Sequence, residues 1–525
     1  MKNKLYKNKL RNIFSIMLFV IIVANLKAQK HNAITGNLQT HFTNSFLYNK
    51  NDIIKHSPSL SLAYKPISNY NLFVPNQTNY ISGYKPWESE KHFFIAVGEL
   101  TLVQIIPWAF THYITEFEDP SDDFSIIGLQ SWWQNLEQGW EYDRDNFLTN
   151  NFAHPYHGSL YFNVGRTNGY SFWESVGWSL AGSTMWEFFG ENNRPAINDW
   201  IYTGLGGVTL GEITYKLSHM ITDNTATGFE RTISEIFGAL VNPARGFNRL
   251  ISGETGKVFP NTKLHKPDDF LISFSSGTVA LDKTGDKKYS SKEIDGVFEL
   301  ELSYGNLFKA KKPFDHFLLS TSISSGLPHF TSLNTSGFLF GRELIKNKHF
   351  LNLSLNLNYI NLIQEVISLP DTTFKGFLYG STRLYPHILS KFSLSQNTHL
   401  ITSIGVTAVL MGATPNDYFR DPVEGRAYDM GPGLGSNIML ALKHKNWEYL
   451  KLVLFGNWIW TQSEPSGSKH NINFSLLTIQ YPLNDYFAFG LTTGIYLRYS
   501  YYDDHPDVEK NHPVLRVFFK TKLLN

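Results

Sequence analysis

The 525-residue sequence predicts an α+β membrane protein, a helical N-terminal domain followed by an antiparallel transmembrane β-barrel of about twelve strands. Three observations carry that expectation. The chain begins like an exported one, its middle part has helical periodicity, and its C-terminal half alternates apolar and polar residues. Composition agrees. Charged residues are 17% and aromatics 15%, whereas charged residues make up about a quarter of an ordinary soluble domain. Much apolar surface without long apolar runs is what a lipid face spread over alternate strand residues produces.

The N-terminus comes first. Lys2, Lys4, Lys7, Lys9 and Arg11 precede a short apolar core from Ile13 to Ala24, and Ala28 before Gln29 offers a cleavage point. Residues 1–28 are therefore expected to be a secretory signal peptide. A net charge of +1 gives no electrostatic case for a nucleic-acid partner. The absence of cysteine excludes a lipoprotein anchor, disulfides and thiolate chemistry. Residues 29–90 are polar and irregular.

Helical periodicity runs over residues 91–252. "HFFIAVGELTLVQIIPWAFTHYI" is strongly apolar, interrupted by Glu99, Gln104 and Pro107. "SFWESVGWSLAGSTMWEFFGE" has Ser171 and Glu174 at capping-box spacing. "AINDWIYTGLGGVTLGEITYKLSHMI" is expected to start at Asn198 or Asp199, whose short acceptors cap free amides. Pro243 breaks "GFERTISEIFGALVNPARGFNRLI". Gly204, Gly207 and Gly211 fall on one helix face, as close helix contact requires.

Residues 266–525 read as the barrel. In "FLNLSLNLNY" Leu351, Leu353, Leu355, Leu357 and Tyr359 oppose Asn352, Ser354, Asn356 and Asn358. Many runs have the length that crosses a bilayer with tilt. Tyr304, Tyr359, Trp447, Trp460 and Tyr499 near strand ends suit aromatic girdles. "YLKLVLFGNWIW" is apolar on both faces, as if its inner face met a plug. The polar connection between Gly412 and Gly433, with Arg420, Asp421, Arg426 and Asp429, reads as a loop folded on its own salt bridges.

The polar residues of the helical part are the candidate site. Glu187 and Glu191 are spaced to share a helix face, and such a pair can divide acid and base roles. His154 or His157 could act as base and Asp199 as orienter; Arg166, Arg194, Asn198 and Glu212 are candidate ligand-binding groups. Pro155 places the two histidines at a loop or helix entrance. The competing reading is structural: buried carboxylates among apolar helices need partners such as Arg166 or Arg194 merely to exist there. His-x-x-His with nearby glutamates fits a metal in principle, but no tight motif fixes a third ligand, so neither metal nor cofactor is expected.

With these residues in view, the chain resembles an uncharacterised bacterial outer-membrane-type family known only as domain of unknown function 3943. The resemblance rests on His154-Pro155-Tyr156-His157-Gly158, Arg166, Trp186-Glu187, Asn198-Asp199 and Gly206-Gly207 with Gly211-Glu212. It implies no activity, because the family has no assigned reaction. A looser likeness runs to small helical membrane proteins of the VanZ type, which also carry Glu, a basic residue, Asp and glycine in the order of Glu187, Arg194, Asp199 and Gly207. That likeness implies that the polar residues form one site.

The expected function is an outer-membrane barrel whose helical domain plugs or flanks the barrel, with a structural or binding role in the envelope and membrane lipid as partner. The alternative is a hydrolase or transferase acting on envelope lipid or glycan through the polar residues. No G-x-S-x-G elbow supports a serine nucleophile.

Overall fold

The computed structural model describes residues 83–115, 123–285, 294–326, 328–367, 372–421 and 425–524. The expected signal peptide, and the irregular segment up to residue 82, lie outside these residues.

The strands are β1 Phe270–Leu281, β2 Ile294–Tyr304, β3 Phe317–Ser324, β4 Phe330–Ile345, β5 His349–Asn361, β6 Gln364–Ile367, β7 Thr372–Lys375, β8 Leu378–Ser393, β9 Thr398–Pro415, β10 Tyr428–His444, β11 Trp447–Trp460, β12 Ser468–Pro482, β13 Phe487–Tyr502 and β14 Val508–Leu524. Strands β6 and β7 form a separate ribbon between β5 and β8; the other twelve close into one antiparallel barrel. Closure is through β1 and β14, in register from Leu271↔Leu524 to Leu281↔Val514. The rim holding both barrel termini has the short turns at 346–348, 394–397, 445–446 and 483–486, and is here called the turn rim. Longer connections, including 416–427, occupy the opposite loop rim.

Alternation sets the two faces of the wall. Outward-facing Phe298, Ile404, Val406, Leu434, Phe489 and Val517 are each more than half exposed. Trp458, Trp460 and Tyr501 stand near the loop rim, and Tyr481, Tyr486 and Phe487 near the turn rim, the girdle positions of a bilayer-spanning barrel. Side chains of the barrel itself pack across the lumen. Tyr379, Phe377, Phe455, Ile459 and Ile472 form a buried cluster, and the Arg383 guanidinium lies 4.8 Å over the Phe455 ring. Ion pairs Glu299–Arg516 and Glu301–Lys520 cross it below. The apolar inner face of β11 thus packs on β8 and β12, not on a helical plug. Among the described residues, the loop at 416–427 also reaches beyond itself. Asp417 holds Arg498 of β13 at 2.6 Å, and Asp429, at the start of β10, holds His470 of β12 at 2.8 Å.

The helices are α1 Phe93–Ile114, α2 Leu129–Gln138, α3 His154–Thr167, α4 Phe172–Met185, α5 Ile197–Ile201, α6 Gly207–Ile221, α7 Gly228–Val241 and α8 Pro243–Ile251. Helix α1 continues through Pro107 and is long and apolar enough to cross a membrane. The Ser171–Glu174 capping box forms at the start of α4. At the expected break, Asn242 caps α8 through the Arg245 N–H. Three π turns, Thr149–Ala153, Trp186–Gly190 and Tyr202–Gly206, adjoin α3, α4, α5 and α6.

Of the two arrangements the sequence leaves open, the structure takes the flanking one: the helices lie against the outside of the barrel wall. Outward-facing Leu355, Leu357 and Tyr359 of β5 are buried in one cluster with Phe147, Phe152 and Tyr202 of the helical layer. Trp173 stacks on Phe340 of β4 with ring centroids 5.1 Å apart, and Gly206 lies against Thr382 of β8. Each such fully buried apolar side chain contributes about 1.5–3 kcal/mol. Tyr304 and Tyr359, expected in a girdle, are instead covered by this layer or its neighbours.

Glycines set the closeness of α3 to α6. A Cβ on Gly158 would stand 1.7 Å from the Thr203 carbonyl oxygen, and one on Gly207 would stand 2.5 Å from the Gly158 backbone. These are backbone contacts that no rotamer relieves. Gly158→Ala is expected to destabilise the helical layer by about 1–3 kcal/mol, as overpacking does. Tryptophan fluorescence during denaturant unfolding in detergent measures this, because nine of the twelve tryptophans lie between Trp87 and Trp200. The barrel's heat-modifiable gel mobility should be unchanged.

Candidate functional site

The site forms where two extended segments meet. The Glu141 N–H donates to the Pro195 carbonyl at 2.8 Å, and the Ile197 N–H donates to the Glu141 carbonyl at 2.8 Å. This zipper brings Asp143 beside Asn198 at the start of α5. The Asn198 side-chain amide donates to Asp143 Oδ1 and Asp199 Oδ1, each at 2.7 Å. Asn150, in the first π turn, donates to Asp143 Oδ1 at 2.8 Å. The other oxygen of Asp199 lies 3.4 Å from His154 Nε2, and Asp145 Oδ2 lies 3.5 Å from the same nitrogen. Neither contact is aligned as a hydrogen bond. Glu187, in the second π turn, accepts the Ala196 N–H at 2.7 Å. Two of the three π turns therefore supply side chains to the site, and such turns recur at functional positions.

The barrel completes it. The Tyr428 hydroxyl of β10 accepts from Asn150 at 2.7 Å and donates to the Asp145 carbonyl at 2.8 Å. Arg144 reaches Asp421 of the 416–427 loop at 3.5 Å. The site thus lies at the loop rim. Asp199 and Glu187 are buried, while the Asp145 side chain is 40% exposed and keeps the site open to solvent.

Four carboxylates surround one imidazole, and burial makes a negative charge costly on Asp143, Glu187 and Asp199. Burial, then the charge of Asp145, pushes Asp143 up to about 6. Burial raises Glu187 to about 8, against the Ala196 N–H and the attraction of His154. Burial, with Asp143 and Glu187, puts Asp199 well above the usual carboxylate range. For His154 burial acts downward, but Asp145 and Asp143 outweigh it and the net shift is upward.

The sequence-predicted residues divide. His154, Glu187, Asn198 and Asp199 converge. His157 does not: its Nε2 meets the Val103 carbonyl of α1 at 3.3 Å, and burial lowers it to about 4. Glu191 does not share a helix face with Glu187, because the helical run ends with the π turn at Gly190 and Glu191 is extended. Its carbonyl accepts from Asn135 at 3.0 Å. Arg194 pairs with Glu141 at 3.2 Å. Arg166 and Glu212 belong to a second cluster, with Arg166 Nε 2.7 Å from Glu212 and its guanidinium 4.2 Å over Tyr215. Lys216 extends that cluster to Asp315 in the β2–β3 connection at 3.5 Å. Nearby, Glu88 joins His219 and Arg245, and Arg249 joins Glu235 and Glu254. This second cluster is an ion-pair network tying the helices together.

One local expectation is corrected and another is narrowed. Asn198 and Asp199 are not caps; the cap position is Ala196, and both side chains turn into the site instead. Of the two places expected for the histidines the structure takes the helix entrance and not the loop: His154 opens α3 with Pro155 in its first turn, and helical backbone already runs from residue 147 through the preceding π turn. Sequence reasoning missed Asp143, Asp145, Asn150, Tyr202 and Tyr428. The acid pair in "EYDRDN" was a usable signal; Tyr428, a strand-end tyrosine, carried none.

A family model described as a domain of unknown function, DUF3943, matches residues 139–244. The match contains Asp143, His154, Glu187 and Asp199 and, of the second cluster, Arg166 and Glu212, but not Arg245, Arg249 or the barrel. No curated protein matches the chain. Among solved structures it is similar to the NanC porin, at 9% identity over 48% of this chain and 100% of that one, with a TM-score of 0.24. It is similar to an outer membrane channel from Pseudomonas putida F1, at 11% identity over 49% and 96%, TM-score 0.26. It is also similar to outer membrane phospholipase A from Escherichia coli, at 14% identity over 49% and 91%, TM-score 0.23.

Two outcomes follow from this geometry. Raised carboxylates stabilise the fold in their protonated form, so the stability Glu187 contributes is present below its unfolded value near 4.5 and is lost as pH rises through about 8. Unfolding midpoints of the helical layer should fall between pH 5 and pH 9, and Glu187→Gln should flatten that slope; Asp143 and Asp199 share the sign and leave part of it. Tyr428→Phe removes two hydrogen bonds, leaving the buried Asn150 amide only Asp143 as an oxygen acceptor, and should cost about 1–3 kcal/mol. Hydrogen exchange at 143–154 reads this as faster opening, with the barrel strands unaffected.

Proposed function

We propose that this chain is an exported outer-membrane protein whose barrel anchors the helical layer at its flank, and that the pair bind envelope lipid. The observation that carries this reading is the apolar outer surface shared by barrel and helices. It includes Phe489 and Val517 on the wall and Phe94, Ile106 and Ile114 on α1, all more than half exposed. A protein in water would hide a patch of that extent. The short-turn rim, by the usual arrangement of such barrels, faces the periplasm and the loop rim faces outward. Side chains packed across the lumen favour an anchor over a wide pore. A groove of about 230 Å³ lined by Gln104, Ile105, Trp108, Ile127, Met185 and Phe189 suits part of an acyl chain.

A second reading is favoured by one observation, the convergence of His154, Asp199 and Glu187 at a solvent-reachable rim. On this reading the site performs acid–base chemistry on a lipid or glycan of the envelope.

Expression of the full chain tests the first reading. The protein should fractionate with the outer membrane, shift its gel mobility on heating, and retain phospholipid in native mass spectrometry. Met185→Trp should fill the groove and lower lipid retention several-fold. Recovery with the inner membrane and no heat shift would overturn the architecture. Loss of an envelope phenotype in Asp199→Asn, with folding and lipid retention intact, would select the second reading.

A further inference from the structure

We infer that Asp143, Asp145, His154 and Asp199 form a binding site for one divalent cation of the manganese-to-zinc series. The inference does not depend on lipid binding or catalysis.

The distances fit. One ligand atom each from Asp143, Asp145 and His154 lie within 4.8 Å of one another. His154 Nε2 is 3.5 Å from Asp145 Oδ2 and 3.4 Å from Asp199 Oδ2. Oxygen and nitrogen ligands at about 2.0–2.2 Å from one ion are separated by about 3–3.5 Å at adjacent positions. The two His154 contacts already have this spacing, and ligand pairs as wide as 4.8 Å would close by roughly 1.3–1.8 Å on binding.

The supporting groups are those a metal site requires. The Asn198 amide holds Oδ1 of both Asp143 and Asp199, which leaves Asp199 Oδ2 aimed at His154. Asn150 holds Asp143 from the other side and is itself held by Tyr428 of the barrel.

Independent observations point to a missing ligand. Tyr202 is fully buried, its hydroxyl has no hydrogen-bond partner, and it lies close enough to Asp143 and Asp199 to feel both charges. The amide oxygen of fully buried Asn150 is likewise unpartnered, although its nitrogen touches Asp143. His154 Nε2 is buried and makes no hydrogen bond despite two carboxylates within 3.5 Å. Unmatched buried polar atoms are rare in folded proteins. Several around one group of carboxylates are what a cation, with its bound water, would satisfy together.

Ligand chemistry selects the ion. Three carboxylates with one imidazole suit manganese, iron or zinc, whereas calcium and magnesium prefer oxygen alone. The histidine pair considered from the sequence is not the basis, since His157 turns away to Val103.

The test uses the full, untagged chain in detergent after chelation. Manganese or zinc added alone should bind at one ion per chain. His154→Gln and Asp143→Asn should each weaken binding about tenfold or more, with the heat-modifiable barrel intact; calcium should compete poorly. If a variant does not fold, spin-echo spectroscopy of the manganese-loaded wild type decides. Nitrogen modulation from a bound imidazole supports the site. A signal from fully hydrated manganese, or equal binding by a folded His154→Gln variant, overturns it.

Discussion

The outer wall of the barrel is the surface on which the rest of the molecule depends. Closing twelve strands pairs their backbone groups with one another and leaves no open edge. Alternation then forces a choice at every residue, with small polar groups inward and apolar groups outward. The outward set is larger than any soluble protein would expose, so it must meet lipid or protein. This chain does both. Part of the wall stays bare, including Phe298 of β2, Ile404 and Val406 of β9, Leu434 of β10 and Val517 of β14. Another part, including Leu355, Leu357 and Tyr359 of β5, is covered by the helical layer.

That division explains why the helices are not in the lumen. A helical layer with Phe94, Ile106, Phe229 and Leu250 on its surface has no apolar partner inside a polar barrel. The lumen is also occupied by Tyr379, Phe455 and the charge pairs beneath them. The outer wall is the complementary surface, and the glycines at 158 and 207 thin the layer where α3 crosses α6. What looked like a plug signal in β11 was the barrel filling itself.

The barrel was legible in the sequence because its signal is local: period two in "FLNLSLNLNY" fixes which residues share a face. The helices were legible for the same reason, as were the Ser171–Glu174 box and the break at Pro243. What could not be read is which lipid-like face meets which. Leu357 and Leu434 have the same pattern, yet one is buried by helices and the other is bare. The site was half legible. Glu187, Asn198, Asp199 and His154 stood out as polar groups among apolar ones. Their partners did not, because Asp143 arrives through a backbone zipper with Pro195 and Tyr428 through a strand nearly three hundred positions away. The helical wheel also misled, since a π turn shifts register and separates Glu191 from Glu187.

The two polar clusters now separate on charge balance. In the second cluster five cations, Arg166, Lys216, Arg231, Arg245 and Arg249, face five carboxylates, Glu88, Glu212, Glu235, Glu254 and Asp315, and the guanidinium forks supply the geometry that makes a buried pair tolerable. Such a cluster holds helices together and asks for nothing more. Around His154 the balance fails: four carboxylates face one imidazole, and no arginine or lysine bond to these carboxylates is seen among the described residues. A fold gains nothing from burying that excess for stability alone, since apolar residues would pack there at less cost. The excess has to be neutralised by protons or by a cation. Either way the same polar cluster, fixed at the seam between helix and barrel, is poised to respond to what reaches the loop rim.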